Sequence, residues 1–354
     1  MDQSYSPEIE RSRRYHTERR EQEVTVTFEK SPLPMLWLDT SVLIDLAKID
    51  KREAIEPGRA ARLKKLRSTV QRLTLDRKLI CPVCDQDNEF EGKRLEDEIN
   101  AIVLMFALGA RCQPCQGFKD AQIQLGTLAY RAMKGTVHVP WTTCFYGDPR
   151  ETVAETLKLG VVIDPGLKKP KDWIDRADRN KATLQTSLER LRQDFNAQKR
   201  SFDEQLKLEK LGESDSMIGM ICDYNRRVGN GNADMWDHLG VEGFLVWMRS
   251  WGGEFEEAVS ALYSFMRSNY YGELPIVDVA CRLSADLVVN PPPVKSGDGM
   301  DIQHMATVIP LAQYVVVDRA MADRCERLKL PEKYRTKVYS SRTIDELIAE
   351  LEVL

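Results

Sequence analysis

The chain has 354 residues, a formal net charge of −4, 42% hydrophobic and 30% charged residues. That length can bury a core in one large domain or two smaller ones, and the composition is that of an ordinary soluble protein. The slightly acidic balance excludes polyanion binding by net charge alone, so any nucleic-acid surface has to be local.

Residues 1–23 are charged and lack apolar periodicity. Val24–Phe28 alternates like a half-exposed strand, expected as an added edge of a sheet. Leu36-Trp37-Leu38 reads as a buried strand running into Asp39, with Thr40 or Ser41 expected to cap a helix that starts at once. A carboxylate at the carboxyl end of a parallel strand sits where open α/β sheets place their ligands. Ala60–Leu75 spaces Leu63, Leu66, Val70 and Leu73 as one helix face on a basic background. The stretch Lys48–Lys78, which contains Arg59, Arg62, Lys64, Lys65, Arg67, Arg72, Arg77 and Lys78, serves either phosphate contacts or a solvated helix face. Leu79–Val83 predicts a second buried strand, and the acid-rich stretch Asp85–Arg94 opens a helix, where carboxylates complement the positive end.

Glu96–Leu108 and Ala121–Met133 read as helices and Thr136–Val139 as a strand. From Arg150 to Gly272 the pattern is helical. Leu184, Leu188, Leu191, Phe195 and Phe202 recur through a charged segment as in one long exposed or paired helix. Trp236, Trp247 and Trp251 are expected in a core rather than as a base-stacking platform. Ile276, Val279, Leu283 and Leu287 share a helix face, and a Pro-rich linker then delivers the chain to Asp298. Asp298 and Asp301 share a face at a helix N-terminus, with His304 one turn on. Tyr314–Val317 predicts a strand ending in Asp318. A strand at Lys337–Tyr339 and an amphipathic helix from Ile344 to Leu354 close the chain. Strands alternating with helices at both ends predict a parallel sheet. Acids converging from two strand ends and a helix start repel one another unless a cation neutralises them, and Mg²⁺ or Mn²⁺ are the usual ions.

Asp39-Thr40-Ser41 with an apolar turn after it, and Asp301-x-x-His304-x-Ala306, an apolar strand and Asp318-Arg319, together resemble a PIN-like domain, one of a superfamily of metal-dependent nucleases. The resemblance covers residues 35–92 and 274–354. It implies an α/β fold with a PIN-like parallel sheet flanked by helices, and a large mainly helical insertion in the middle of the chain. The expected divisions are a lead-in at 1–34, the first half of the domain at 35–149, the insertion at 150–273 and the second half at 274–354. It also implies an acid on the helix after the second strand, matched by Glu89, with Glu91 as the alternative. Asp39, Glu89, Asp301 and Asp318 would then hold one or two Mg²⁺ or Mn²⁺ ions, with Asp298 as an outer or second-ion ligand and Ser41 orienting a carboxylate or phosphate oxygen. In the bland alternative Ser41 only caps a helix, and His304 either faces the site or is a packed helix histidine. One departure is Val316, where many members carry Thr or Ser. The implied activity is phosphodiester hydrolysis leaving 5′-phosphate and 3′-hydroxyl ends, with RNA favoured over DNA and a toxin-like or defence role. The alternatives are a DNA or flap nuclease with the same site, a catalytically weak scaffold that binds a protein partner through the insertion, and a zinc-dependent nucleic-acid-binding module. The resemblance also allows a homodimer.

Cys81-x-x-Cys84 and Cys112-x-x-Cys115 are compatible with structural Zn²⁺, with ordinary buried cysteines or with a redox pair. The longest apolar run, Ala101–Leu108, is too short to span a bilayer. The polar first 30 residues predict no export signal, so reduced thiols and a cytoplasmic location are expected.

Overall fold

The computed structural model describes residues 23–84, 94–160, 171–290, 294–295 and 297–354. The chain is α/β and mostly helical, with small parallel sheets. Among the described residues no helix is long and apolar enough to cross a membrane.

The strands are β1 (Thr25–Phe28), β2 (Leu36–Leu38), β3 (Thr136–Val139), β4 (Tyr314–Val316) and β5 (Lys337–Tyr339). Helices α1 (Thr40–Asp50), α2 (Pro57–Leu75), α3 (Glu96–Ala107) and α4 (Cys115–Arg131) precede the central block. That block holds α5 (Pro149–Leu159), α6 (Lys171–Gln198), α7 (Phe202–Gly229), α8 (Met235–Trp251), α9 (Phe255–Met266) and the short α10 (Asn269–Gly272). Then come α11 (Pro275–Val289), α12 (Asp298–Leu311), α13 (Arg319–Arg327), α14 (Leu330–Tyr334) and α15 (Ile344–Leu351).

The main sheet has the order β2-β4-β5, all parallel, with Leu36 opposite Tyr314 and Tyr314 opposite Lys337. On the far side of β2 the Leu36 N–H donates to Ile80 O at 2.8 Å and the Ile80 N–H to Pro34 O at 2.8 Å. The strand expected over Leu79–Val83 is reduced to single bridges, Ile80 to Met35 and Val83 to Arg111. Pro82 lies between them and has no N–H to continue a ladder. Nor is the Val24–Phe28 strand an edge of this sheet. Among the described residues β1 pairs with β3, in a separate two-stranded parallel sheet. Pro32 and Pro34 lie between β1 and β2, and neither has an N–H to continue a ladder across that turn.

A parallel sheet buried on both faces has apolar residues pointing both ways, and β2 and β4 do so. Trp37 and Val315 join one apolar cluster, while Leu36, Leu38 and Val316 join another on the opposite face. The second cluster is closed by α1, α2, α3 and α15 through Leu43, Leu66, Phe106 and Leu347. The first is closed by α11 and α12 and continues without a break through the central block, taking in Leu188, Ile218, Trp247 and Phe265.

The long helix expected around Leu184–Phe202 is two helices. Lys199 turns left-handed at φ 49°, and Ser201 and Glu204 form a reciprocal capping box that starts α7. Trp247 is a core residue, as expected: it is buried, stacks on Trp251 at 5.1 Å and donates its indole N–H to the Thr127 hydroxyl. The side chains of Leu184 and Trp236 lie outside the described residues.

Helix α11 fastens the C-terminal segment with two buried acids. The Asp286 carboxylate takes Arg324 at 3.2 Å and Arg327 at 2.7 Å. The Asp278 carboxylate, fully buried, accepts from Lys333 at 2.8 Å, the Tyr334 hydroxyl at 2.8 Å and Arg282 at 2.9 Å, with Lys210 at 3.3 Å. Burial by itself pushes the Asp278 carboxyl up, but Lys333, Arg282 and Lys210 outweigh it and hold its pKa at about 2. A folded-state pKa below the unfolded one contributes stability above the ordinary carboxylate pKa near ~4, and that stability is lost as pH falls toward about 2. Asp278→Ala takes the acceptor from the buried Tyr334 hydroxyl and from the partly exposed Lys333, Arg282 and Lys210, and is expected to cost about 1–3 kcal/mol in urea unfolding at pH 7. The deficit should shrink in a pH series down to 2; equal stability at pH 7 would remove the network from this account.

Candidate active site

The carboxyl edge of the main sheet gathers the acids. The Asp39 N–H donates to Val316 O at 2.9 Å, extending the β2–β4 pairing by one residue and setting Asp39 beside the end of β4. Asp39 is itself the N-cap of α1, correcting the expectation of Thr40 or Ser41. Its Oδ2 accepts the Ser41 N–H at 3.1 Å and the Ser41 hydroxyl. Asp318, just beyond β4, repeats the arrangement as the N-cap of α13, its Oδ1 accepting the Met321 N–H at 2.7 Å. Strand-to-helix turns of this kind need a short side chain that satisfies an exposed N–H, and Asp serves that need well. Capping is therefore one role of both residues.

Helix α12 begins at Asp298, as expected, but its two first-turn acids part company. The Asp298 carboxylate turns back to accept the Lys295 N–H at 2.6 Å. Asp301 instead lines a pocket with Asp39, Asp318 and His304. The pocket encloses about 30 Å³, room for an ion or a water or two. Trp37, Met305, Val317 and Met321 complete its wall. Ser41 and Asp298 are not among the lining residues. Glu89 and Glu91 lie outside the described residues. Val316, the departure from the PIN-like pattern, packs into the apolar cluster on the other face of the sheet. Trp37 was legible only as an apolar strand residue. Its spacing of two from Asp39 is the signal that both point to one face, and its ring meets that of His304 at 6.1 Å, tilted by 55°.

Three carboxylates and an imidazole lining one pocket are donor types that hard or borderline divalent cations take. Among the described residues no group of three or more His, Cys, Asp or Glu side chains already stands in a metal-holding arrangement.

Three cations of the basic run on α2 are engaged elsewhere. Arg59 pairs with Asp45, Arg67 with Asp50 at 2.6 Å and Lys65 with Glu352 at 3.0 Å, which favours a solvated helix face. The two Cys-x-x-Cys units meet where Val83 bridges Arg111. Cys84 and Cys112 join the large cluster with Cys144, whereas Cys81 joins the cluster across the sheet. None of the eight cysteines is in a disulfide, and burial pushes the Cys81 and Cys144 thiols up.

No protein-family model, curated protein or solved structure matches this chain.

The cap hydrogen bonds separate scaffold from chemistry, since Asn caps a helix about as well as Asp but carries no charge. Asp39→Asn and Asp318→Asn are expected to leave stability within about 0.5 kcal/mol of the parent, whereas each Ala variant should lose about 1 kcal/mol in urea unfolding. An Asn variant as unstable as its Ala counterpart would mean that the charge itself holds the fold.

Proposed function

We propose that the protein is a metal-dependent nuclease of the PIN-like type, acting on RNA in preference to DNA. The observation that carries this reading is the meeting of Asp39, Asp301 and Asp318, drawn from both ends of the chain, in one pocket at the carboxyl edge of a parallel sheet. The strand order, with Ile80 bridged on one side of β2 and β4 then β5 on the other, supports the PIN-like arrangement. Glu89 joins the set by resemblance alone, with Glu91 as its alternative.

Asp39, Asp301 and Asp318 would hold Mg²⁺ or Mn²⁺. When bound, such an ion lowers the pKa of a coordinated water and stabilises charge on a leaving phosphate oxygen. The protein's own part is positional. The cap hydrogen bonds from Ser41 and Met321 fix Asp39 and Asp318 at the ends of their strands. The first turn of α12 presents Asp301 beside the positive end of its helix dipole. Trp37, Met305 and Met321 form the apolar part of the pocket wall beside these carboxylates.

The test is cleavage of labelled single-stranded RNA, structured RNA and DNA with Mn²⁺, Mg²⁺ or EDTA. The wild type is expected to cut RNA only with a divalent ion, leaving 5′-phosphate ends. Asp39→Asn, Asp301→Asn and Asp318→Asn should each lower the rate by about 100-fold or more. Cutting that survives all three changes would sink the mechanism. Folded protein that cuts no polymer would move the reading to a binding scaffold.

A further inference from the structure

Building on the assignment of Asp39, Asp301 and Asp318 as a cation site, we propose that His304 donates a ring nitrogen to the same cation and makes the site selective for Mn²⁺ over Mg²⁺. Asp301 and His304 stand three residues apart on α12, so they share a helix face, and both line the pocket together with the strand-end acids. His304 is only 3% exposed, so its ring is committed to the interior. The Trp37 ring at 6.1 Å backs it from β2, the strand that ends in Asp39.

The selectivity follows from the donor atoms. Mg²⁺ is a small hard ion that takes oxygen ligands and gives up its waters reluctantly. Imidazole suits transition ions better, while carboxylates suit both Mg²⁺ and Mn²⁺. A set of three carboxylates with one imidazole is therefore compatible with either ion but favours Mn²⁺.

The experiment uses the full chain, with Mn²⁺ as the probe. Electron spin-echo modulation of the Mn²⁺-loaded protein is expected to show a coordinated nitrogen that shifts on ¹⁵N-histidine labelling and disappears in His304→Gln. His138 instead meets Thr27 and His238 meets Tyr224, away from the pocket. A chain with His16, His138 and His238 all changed to Gln, leaving His304 as its sole histidine, should keep the signal, so the test stands even if His304→Gln fails to fold. In folded His304→Gln, calorimetry should show the Mn²⁺ Kd raised at least about tenfold, no less than the loss of an outer-shell partner costs, with the Mg²⁺ Kd changed less. Mn²⁺ that binds, is weakened by Asp301→Asn and shows no nitrogen signal would overturn His304 as a donor and leave the carboxylate site standing. Mn²⁺ that does not bind, or binds indifferently to Asp301→Asn, would overturn the site itself and the proposal with it.

Discussion

The pairing of β2 with β4 is the constraint on which the rest depends. Two three-residue strands from opposite ends of the chain lie side by side, Leu36 on Tyr314 through Leu38 on Val316. The ladder runs one residue further, from the Asp39 N–H to Val316 O. Because the strands are parallel, their carboxyl ends coincide, and so do the acids that follow them. Slipping the register by one residue would swap Trp37 and Leu38 between two buried faces of different shape, so the packing holds the alignment. The site is thus a by-product of the core.

The chain treats its acids in two ways. Where α11 buries Asp278 and Asp286, it meets them with Lys333, Arg282 and Lys210, and with Arg324 and Arg327. Those networks tie α11 to the helices that follow Asp318 and so hold the edge of the pocket in place. At the sheet's carboxyl edge the acids are instead brought toward one another, beside a histidine and an apolar wall. The first pattern is an internally balanced structural one. The second draws Asp39, Asp301 and Asp318 into one pocket, the arrangement the proposed cation site needs.

Much of this was legible in the sequence because it rests on local chemistry. Leu-Trp-Leu-Asp and Tyr-Val-Val-Val-Asp read as buried strands ending in acids because apolar, strand-favouring runs terminate abruptly at a helix cap. Asp301 and His304 read as one face because helical spacing puts them there. What failed depended on tertiary context. The sequence around Cys81 looks like a strand, but Pro82 interrupts its ladder. Val24–Phe28 alternates like any edge strand, and only the path of the chain past Pro32 and Pro34 decides that it joins β3. Asp298 and Asp301 look equivalent on a helical wheel, yet one folds back onto the Lys295 backbone and the other reaches the pocket. Phe202 kept the apolar period across the break at Lys199, which periodicity alone does not detect.

The central claim is that these acids gather around a divalent cation, and anomalous diffraction from crystals soaked in Mn²⁺ tests it most directly. The account predicts a peak in the pocket bounded by Asp39, Asp301 and Asp318, lost from crystals of Asp301→Asn. Well-ordered crystals with that pocket empty of anomalous density at saturating Mn²⁺ would contradict it.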